Sequence, residues 1–259
     1  CMDIVIGMSK ILGITMQENF RSPIFSKSID EVWRRWHITL GAFCKDYIFY
    51  PIALNKTLNK LGKSIARRHP KMGKMLPVLV SLGCVWTFMG IWHGFAWKYL
   101  IWGWMNLFFI STSLIFEDIY RKWKQYLHLT DYTGFWNAFC ILRTYLLFGI
   151  MEFVADGNSA GSALQGFRGL LSITSWNREC LQNLLDLFSG DFHPFVLMIV
   201  VLMILFVDIA KEKKIEIYRM FHQSSGFLKA VLYVALFYLI ILYAPNGIDV
   251  NAGFAYAVF

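Results

Sequence analysis

Between Leu76 and Phe116 the chain runs for 41 residues with a single charged side chain, Lys98. About 20 apolar residues are enough for a helix to cross the ~30 Å hydrocarbon core of a bilayer. Such a helix satisfies its backbone polar groups internally, as that solvent demands. The run predicts two spans, roughly 76–93 and 97–116, joined by a tight turn near Gly94. Composition points the same way: 57% of residues are hydrophobic and 16% charged, where a soluble domain has about 25% charged. A soluble domain, disorder, a collagen-like repeat and a coiled coil are excluded together.

Three more apolar stretches, 134–155, 194–210 and 227–244, bring the expected spans to about five. Residues 1–16 read as the end of another, and the chain opens on Cys1 inside an apolar stretch. The fold class is therefore all-α: a polytopic transmembrane helical bundle with interfacial helices. Residues 1–259 are expected to form a single membrane domain that is the C-terminal part of a longer protein. The net charge of +8 lies in short clusters between apolar blocks, which argues for membrane topology and against nucleic acid. Connections 45–75, 117–130 and 211–229 hold 16 Lys and Arg, and the alternate ones only Lys98, Arg168 and Arg178. The first set is assigned to the cytoplasm. Between 156 and 193, Phe167, Leu170, Leu171 and Ile173, then Leu181, Leu184 and Leu185, allow an external amphipathic helix. The five cysteines are widely spaced and contain no CxxC, so neither a disulfide framework nor a zinc site is expected. Cys84 and Cys140, in apolar runs, are expected to be buried and inert.

Residues 22–50 are too polar to span, yet are patterned. Ser28 and Glu31 have capping-box spacing, and Val32-Trp33-Arg34-Arg35-Trp36-His37-Ile38 follows. A continuous helix would put Trp33, Trp36 and Leu40 on one face, as in a helix lying at the membrane surface with Trp at headgroup depth. Of the six histidines, His69, His128, His193 and His222 fall in polar connections or at span ends. His93 stands in apolar surroundings between Gly90 and Gly94. An ionisable group there is costly and often marks function; burial keeps an imidazole neutral and able to accept a proton. The alternative is a structural histidine bonded to a neighbouring carbonyl. Gly90 and Gly94, one turn apart, would admit either a helix or a substrate. No metal is expected, because no HExxH or Cys/His spacing joins His37 to His93. No G-x-S-x-G is present for a serine nucleophile either.

Three stretches together carry a resemblance: Glu18-Asn19-Phe20-Arg21-Ser22-Pro23, Trp33-Arg34-Arg35-Trp36-His37-Ile38-Thr39-Leu40 and Lys45-Asp46-Tyr47-Ile48-Phe49-Tyr50-Pro51. With Gly90-Ile91-Trp92-His93-Gly94, they resemble the membrane-bound O-acyltransferase family. The branch is the bacterial one that includes alginate O-acetyltransferases and the D-alanyl transferase of teichoic acids. The closing Gly253-Phe254-Ala255-Tyr256-Ala257-Val258-Phe259 is similar to the alginate-type ending. The resemblance implies a larger tunnel-forming fold in which an acyl group, acetyl above all, passes from a thioester to hydroxyls of an exported or cell-surface polysaccharide.

On that resemblance His93 is the catalytic base, and His37 assists at the cytoplasmic mouth. Arg34 and Arg35 meet donor phosphates or, alternatively, lipid headgroups. No bound cofactor is implied; acetyl-CoA or a carrier protein's phosphopantetheine arm enters as substrate. The implied partners are membrane lipids, the polysaccharide acceptor, and an extracytoplasmic esterase-like protein or an acyl carrier protein. The implied location is the bacterial plasma membrane, crossed several times. D-Alanyl transfer to teichoic acid is the alternative within this chemistry. A transporter half, with Arg143 facing an anionic substrate or else paired to Glu152, is the alternative outside it. A scaffold that anchors a partner enzyme is a third class.

Overall fold

A computed structural model describes residues 2–129, 134–157, 194–215 and 217–243, with a few isolated positions between 158 and 193. The described residues contain helices and no strand. The chain divides into two units, Cys1–Arg168 and Gly169–Phe259. The first holds α1 (Met2–Ile11), a 3-10 turn (Pro23–Phe25), α2 (Ile29–Arg35) and α3 (Ile38–Cys44). A π-helical turn (Lys45–Phe49) and α4 (Tyr50–Ala53) lead into α5 (Lys56–Ala66), α6 (Pro70–Trp92), α7 (Trp97–Ile115), α8 (Glu117–Tyr126) and α9 (Gly134–Asp156). The second unit holds α10 (Pro194–Glu212), α11 (Ile217–Gln223) and α12 (Gly226–Tyr243). The amphipathic helix expected between 167 and 185 and the closing residues 253–259 lie outside the described residues.

All five expected spans are helices. Among the described residues, α6 and α9, each of 23 residues, are long and apolar enough to cross a membrane. A third is reached when α7 and α8, bent by 62° between Ile115 and Glu117, are taken as one broken span. At 1.5 Å per residue, 23 residues reach about 35 Å. Helix α6 begins earlier than hydropathy suggests. Pro70 opens its first turn, where a missing N–H costs nothing, so the polar Lys71 and Lys74 are helical.

The supposed polar loop before α6 folds back on it as α5. A Cβ on Gly62 would stand 2.7 Å from the Gly73 carbonyl oxygen, and one on Gly73 would strike the backbone of Ala66 and Gly62. Helix α8 sits at the same end of α6, because Lys71 Nζ meets Asp118 Oδ2 at 2.7 Å. Connections 45–75 and 117–130, grouped together by their charge, do meet.

The α6–α7 hairpin turns through His93–Ala96, as the tight turn near Gly94 requires. Its arms cross closely. A Cβ on Gly90 would lie 2.8 Å from the Tyr99 carbonyl oxygen, and one on Gly103 would collide with that of Trp86. The small residue facing Gly90 is thus Gly103 on the other arm. Gly94 lies past the helix end at φ +139°, a conformation open chiefly to glycine, with the Tyr99 ring 2.8 Å from where a Cβ would sit. Gly103→Ala should force the arms apart and cost about 1–3 kcal/mol, as overpacking does. Gly149→Ala, in α9 with open space around it, should be neutral or stabilising, since helical Gly is about 1 kcal/mol worse than Ala. Thermal melting of the two variants in detergent checks the contrast, and equal melting temperatures would refute it.

The core of the first unit joins α2, α3, α6, α7 and α9 through Ile29, Cys44, Trp86, Met89, Trp102, Ile110 and Met151. Cys140 is buried as expected, whereas Cys84 is exposed, because it lies on a face of α6 that no described element covers. Arg143 is not paired with Glu152. Its Nη2 donates to the Lys27 carbonyl at 2.6 Å, fastening the loop before α2 to α9.

Candidate functional site

The helix carrying the first histidine begins as its sequence dictates. Ser28 Oγ accepts from the Glu31 N–H at 3.1 Å. Glu31 Oε2 reaches back to the Lys27 N–H at 2.9 Å, one residue short of the full reciprocal box. The helix then stops. Trp36 is extended (φ −117°, ψ 132°), and His37 is left-handed (φ 50°, ψ 48°) before α3 resumes. The continuous helix through Leu40 is therefore corrected to two short helices with His37 at the break.

A left-handed non-glycine residue costs on the order of 1–2 kcal/mol, and the segment before it compensates. The Arg21 N–H donates to the Arg35 carbonyl at 2.9 Å, and the Ile38 N–H to that of Asn19 at 3.0 Å. Asn19 Oδ1 accepts from both the backbone N–H of Thr39 at 3.1 Å and its Oγ1 at 3.0 Å. The Phe20 ring packs at 5.1 Å on both Trp36 and His37. The Asn19-Phe20-Arg21 stretch and the Trp-His-Ile-Thr stretch are two sides of one clamp.

The surface-anchor reading of Trp33 is also overturned. Its ring packs 5.0 Å from Trp86 and 5.6 Å from Trp102, inside the α6–α7 hairpin. Its Nε1 donates to Asn106 Oδ1 at 2.8 Å, and Asn106 Nδ2 donates to the Trp102 carbonyl at 3.0 Å. Asn106 is fully buried, so these bonds are what make a polar residue tolerable there.

His93 caps α6, its N–H reaching the Met89 carbonyl at 3.2 Å. Its ring is held by aromatics: Trp102 at 4.8 Å, Trp92 at 5.1 Å and Tyr99 at 6.2 Å. Trp102 in turn donates Nε1 to Glu152 Oε1 on α9 at 3.0 Å. The two histidines are thus brought into one aromatic nest, His93 through Trp102 and His37 through the helix that Trp33 docks. Burial holds the His37 imidazole below its ordinary 6.5.

The arginines part company. Arg35 is 18% exposed, bonds Glu31 at 2.8 Å and points Nη1 at the carbonyls of Arg21 and Ser22. Arg34, 69% exposed, meets Asp30 at 2.9 Å. Such a surface pair is worth about 0–1 kcal/mol, so Arg34 can exchange it for another anion. Among the described residues no three His, Cys, Asp or Glu side chains gather as a metal would require. Asn106 was missed from the sequence, Glu152 was read only as a partner for Arg143, and Asn19 only as part of a motif. The first two were signalled only as lone polar residues inside apolar runs.

This arrangement, an imidazole held among aromatic rings, suits proton transfer at an attacking hydroxyl. Comparison with known proteins shows what this part of the chain is similar to. Over 120 residues, 46% of this chain, it is 32% identical to a peptidoglycan O-acetyltransferase of Helicobacter pylori, covering 20% of that protein. Over that stretch the chain is similar to bacterial membrane-bound O-acyltransferases. A teichoic acid D-alanyltransferase of Bacillus subtilis is 31% identical over 119 residues, 46% of this chain and 28% of its own length. A probable alginate O-acetylase of Pseudomonas syringae pv. tomato is 36% identical over 101 residues, 39% of this chain and 16% of its own length. The matched stretch is therefore under a third of each membrane-bound O-acyltransferase relative. No family model matches the chain.

Proposed function

We propose that this chain carries the acyl-transfer centre of a multi-pass bacterial plasma-membrane enzyme that moves an acyl group, acetyl first, from a thioester to hydroxyls of an exported or cell-surface polysaccharide. The observation that carries the reading is the shared nest. The His93 ring rests 4.8 Å from Trp102, which packs 5.6 Å from Trp33 of the His37 helix. His93 takes the hydroxyl proton as the oxygen attacks the thioester carbonyl, and the proton then passes to the departing thiolate as the C–S bond breaks. His37 keeps the donor in line, Arg34 meets its phosphates, and Arg35 holds the loop that frames the motif. The donor is acetyl-CoA or a carrier's phosphopantetheine, and an esterase-like protein or an acyl carrier protein is the partner. D-Alanyl transfer to teichoic acid stays as a second reading, supported by the likeness to the Bacillus subtilis protein. The transporter reading is weakened, because Arg143 commits one of its donors to the Lys27 carbonyl.

The test is thiol release from acetyl-CoA by the full-length protein in detergent, with a polysaccharide acceptor. Donor-independent flux of polysaccharide in proteoliposomes would instead support the transporter. The pH profile adds a check. His37 is needed neutral, and burial lowers its affinity for a proton. The neutral form therefore persists below pH 6.5, the ordinary value, and the acid limb of the rate should fall lower still. A limb at or above 6.5 that His37→Gln leaves unmoved would speak against this role.

A further inference from the structure

The carboxylate of Glu152 sits within α9, one of the two described helices long and apolar enough to cross a membrane. A carboxylate there is expensive and normally has a task. The cation expected to neutralise it, Arg143, is bonded elsewhere. Its partner is the indole N–H of Trp102, at 3.0 Å. Trp102 is 3% exposed, walled by Trp33 and Trp86 at 5.6 and 6.2 Å, and it meets the His93 ring at 4.8 Å and 72°. Among the described residues the His93 ring has no hydrogen-bond partner, so aromatic contacts alone fix its direction.

We infer that Glu152 and Trp102 are positioning residues for His93: the carboxylate locks the indole by its N–H, and the indole ring packed against the imidazole holds it at its working angle. The inference rests on the acyl-transfer reading for its purpose, though its geometry does not. The same contact serves the step itself. As His93 gains its proton, an indole whose N–H is bonded to a carboxylate offers the imidazolium an electron-rich ring, an attraction that grows when the pair is desolvated.

The test uses the full-length protein in detergent and two readouts. Carbethoxylation of His93 by diethyl pyrocarbonate, followed by peptide mass spectrometry, reports the freedom of the ring without requiring activity. Glu152→Leu should raise that rate severalfold over wild type, with the exposed His69 unchanged as the internal control. Glu152→Gln, which keeps a carbonyl acceptor for the indole, should return the rate to wild type. Trp102→Phe removes the donor, so adding Glu152→Leu to it should change nothing further. Thiol release from acetyl-CoA should show kcat lowered about 10- to 100-fold in Glu152→Leu with KM little changed, as misplacement of a catalytic group does. A wild-type His93 modification rate in Glu152→Leu, or equal rates in the Leu and Gln variants, overturns the inference. Wild-type protein that releases no thiol overturns the acyl-transfer reading, and the modification rates then decide the positioning claim alone.

Discussion

Exchanging His93 for Gln should lower the rate of acyl transfer by the full-length protein about 10²- to 10⁴-fold, the range that a positioned general base supplies. Gln fills much of the same space against Trp92, Tyr99 and Trp102 but cannot carry the proton away. Melting in detergent should therefore stay near wild type while kcat falls. Donor KM should barely move, because the base acts on the acceptor's hydroxyl. A variant that transfers at more than a tenth of the wild-type rate would remove His93 from the chemistry. Loss of folding together with activity would return it to a structural role.

The largest effect on stability is expected at Asn106. It accepts the Trp33 N–H and donates to the Trp102 carbonyl in a fully buried position. Asn106→Leu conserves volume but strands the indole N–H, and a buried donor left without a partner costs about 1–3 kcal/mol. In a Trp33→Phe background there is no such donor to strand, so the same change should cost markedly less. Additive losses across the four proteins, measured by thermal unfolding in detergent, would show that the bond contributes nothing of its own.

How much of this could be seen in the residues themselves differs by element. The helices of the hairpin and α9 were legible because long apolar blocks have few alternatives. The start of α6 at Pro70 was obscured by Lys71 and Lys74, although a proline at a first helical turn is itself a start signal. The break at His37 was hidden, since no Gly or Pro marks it and Asn19, eighteen positions earlier, is what stabilises it. Trp33 was misplaced for another reason. An indole suits a headgroup layer and a protein interior equally well, and only its bond to Asn106 decides between them. His93 was singled out by its apolar surroundings and His37 only by the resemblance of its motif, yet nothing local showed that α9 would bring Glu152 to Trp102. Contacts 50 residues apart are set by packing rather than by spacing.

The bonds from Trp33 to Asn106 and from Trp102 to Glu152 tie α7 sideways to both α2 and α9. Sliding α7 along its axis by even one turn would tear both at once, so piston motion is barred. The left-handed joint at His37 is held just as firmly, by the bonds of Asn19 to Ile38 and Thr39 and of Arg21 to Arg35. A bulky donor therefore has to reach His93 past walls that stand still, which limits it to a shape the gap already fits.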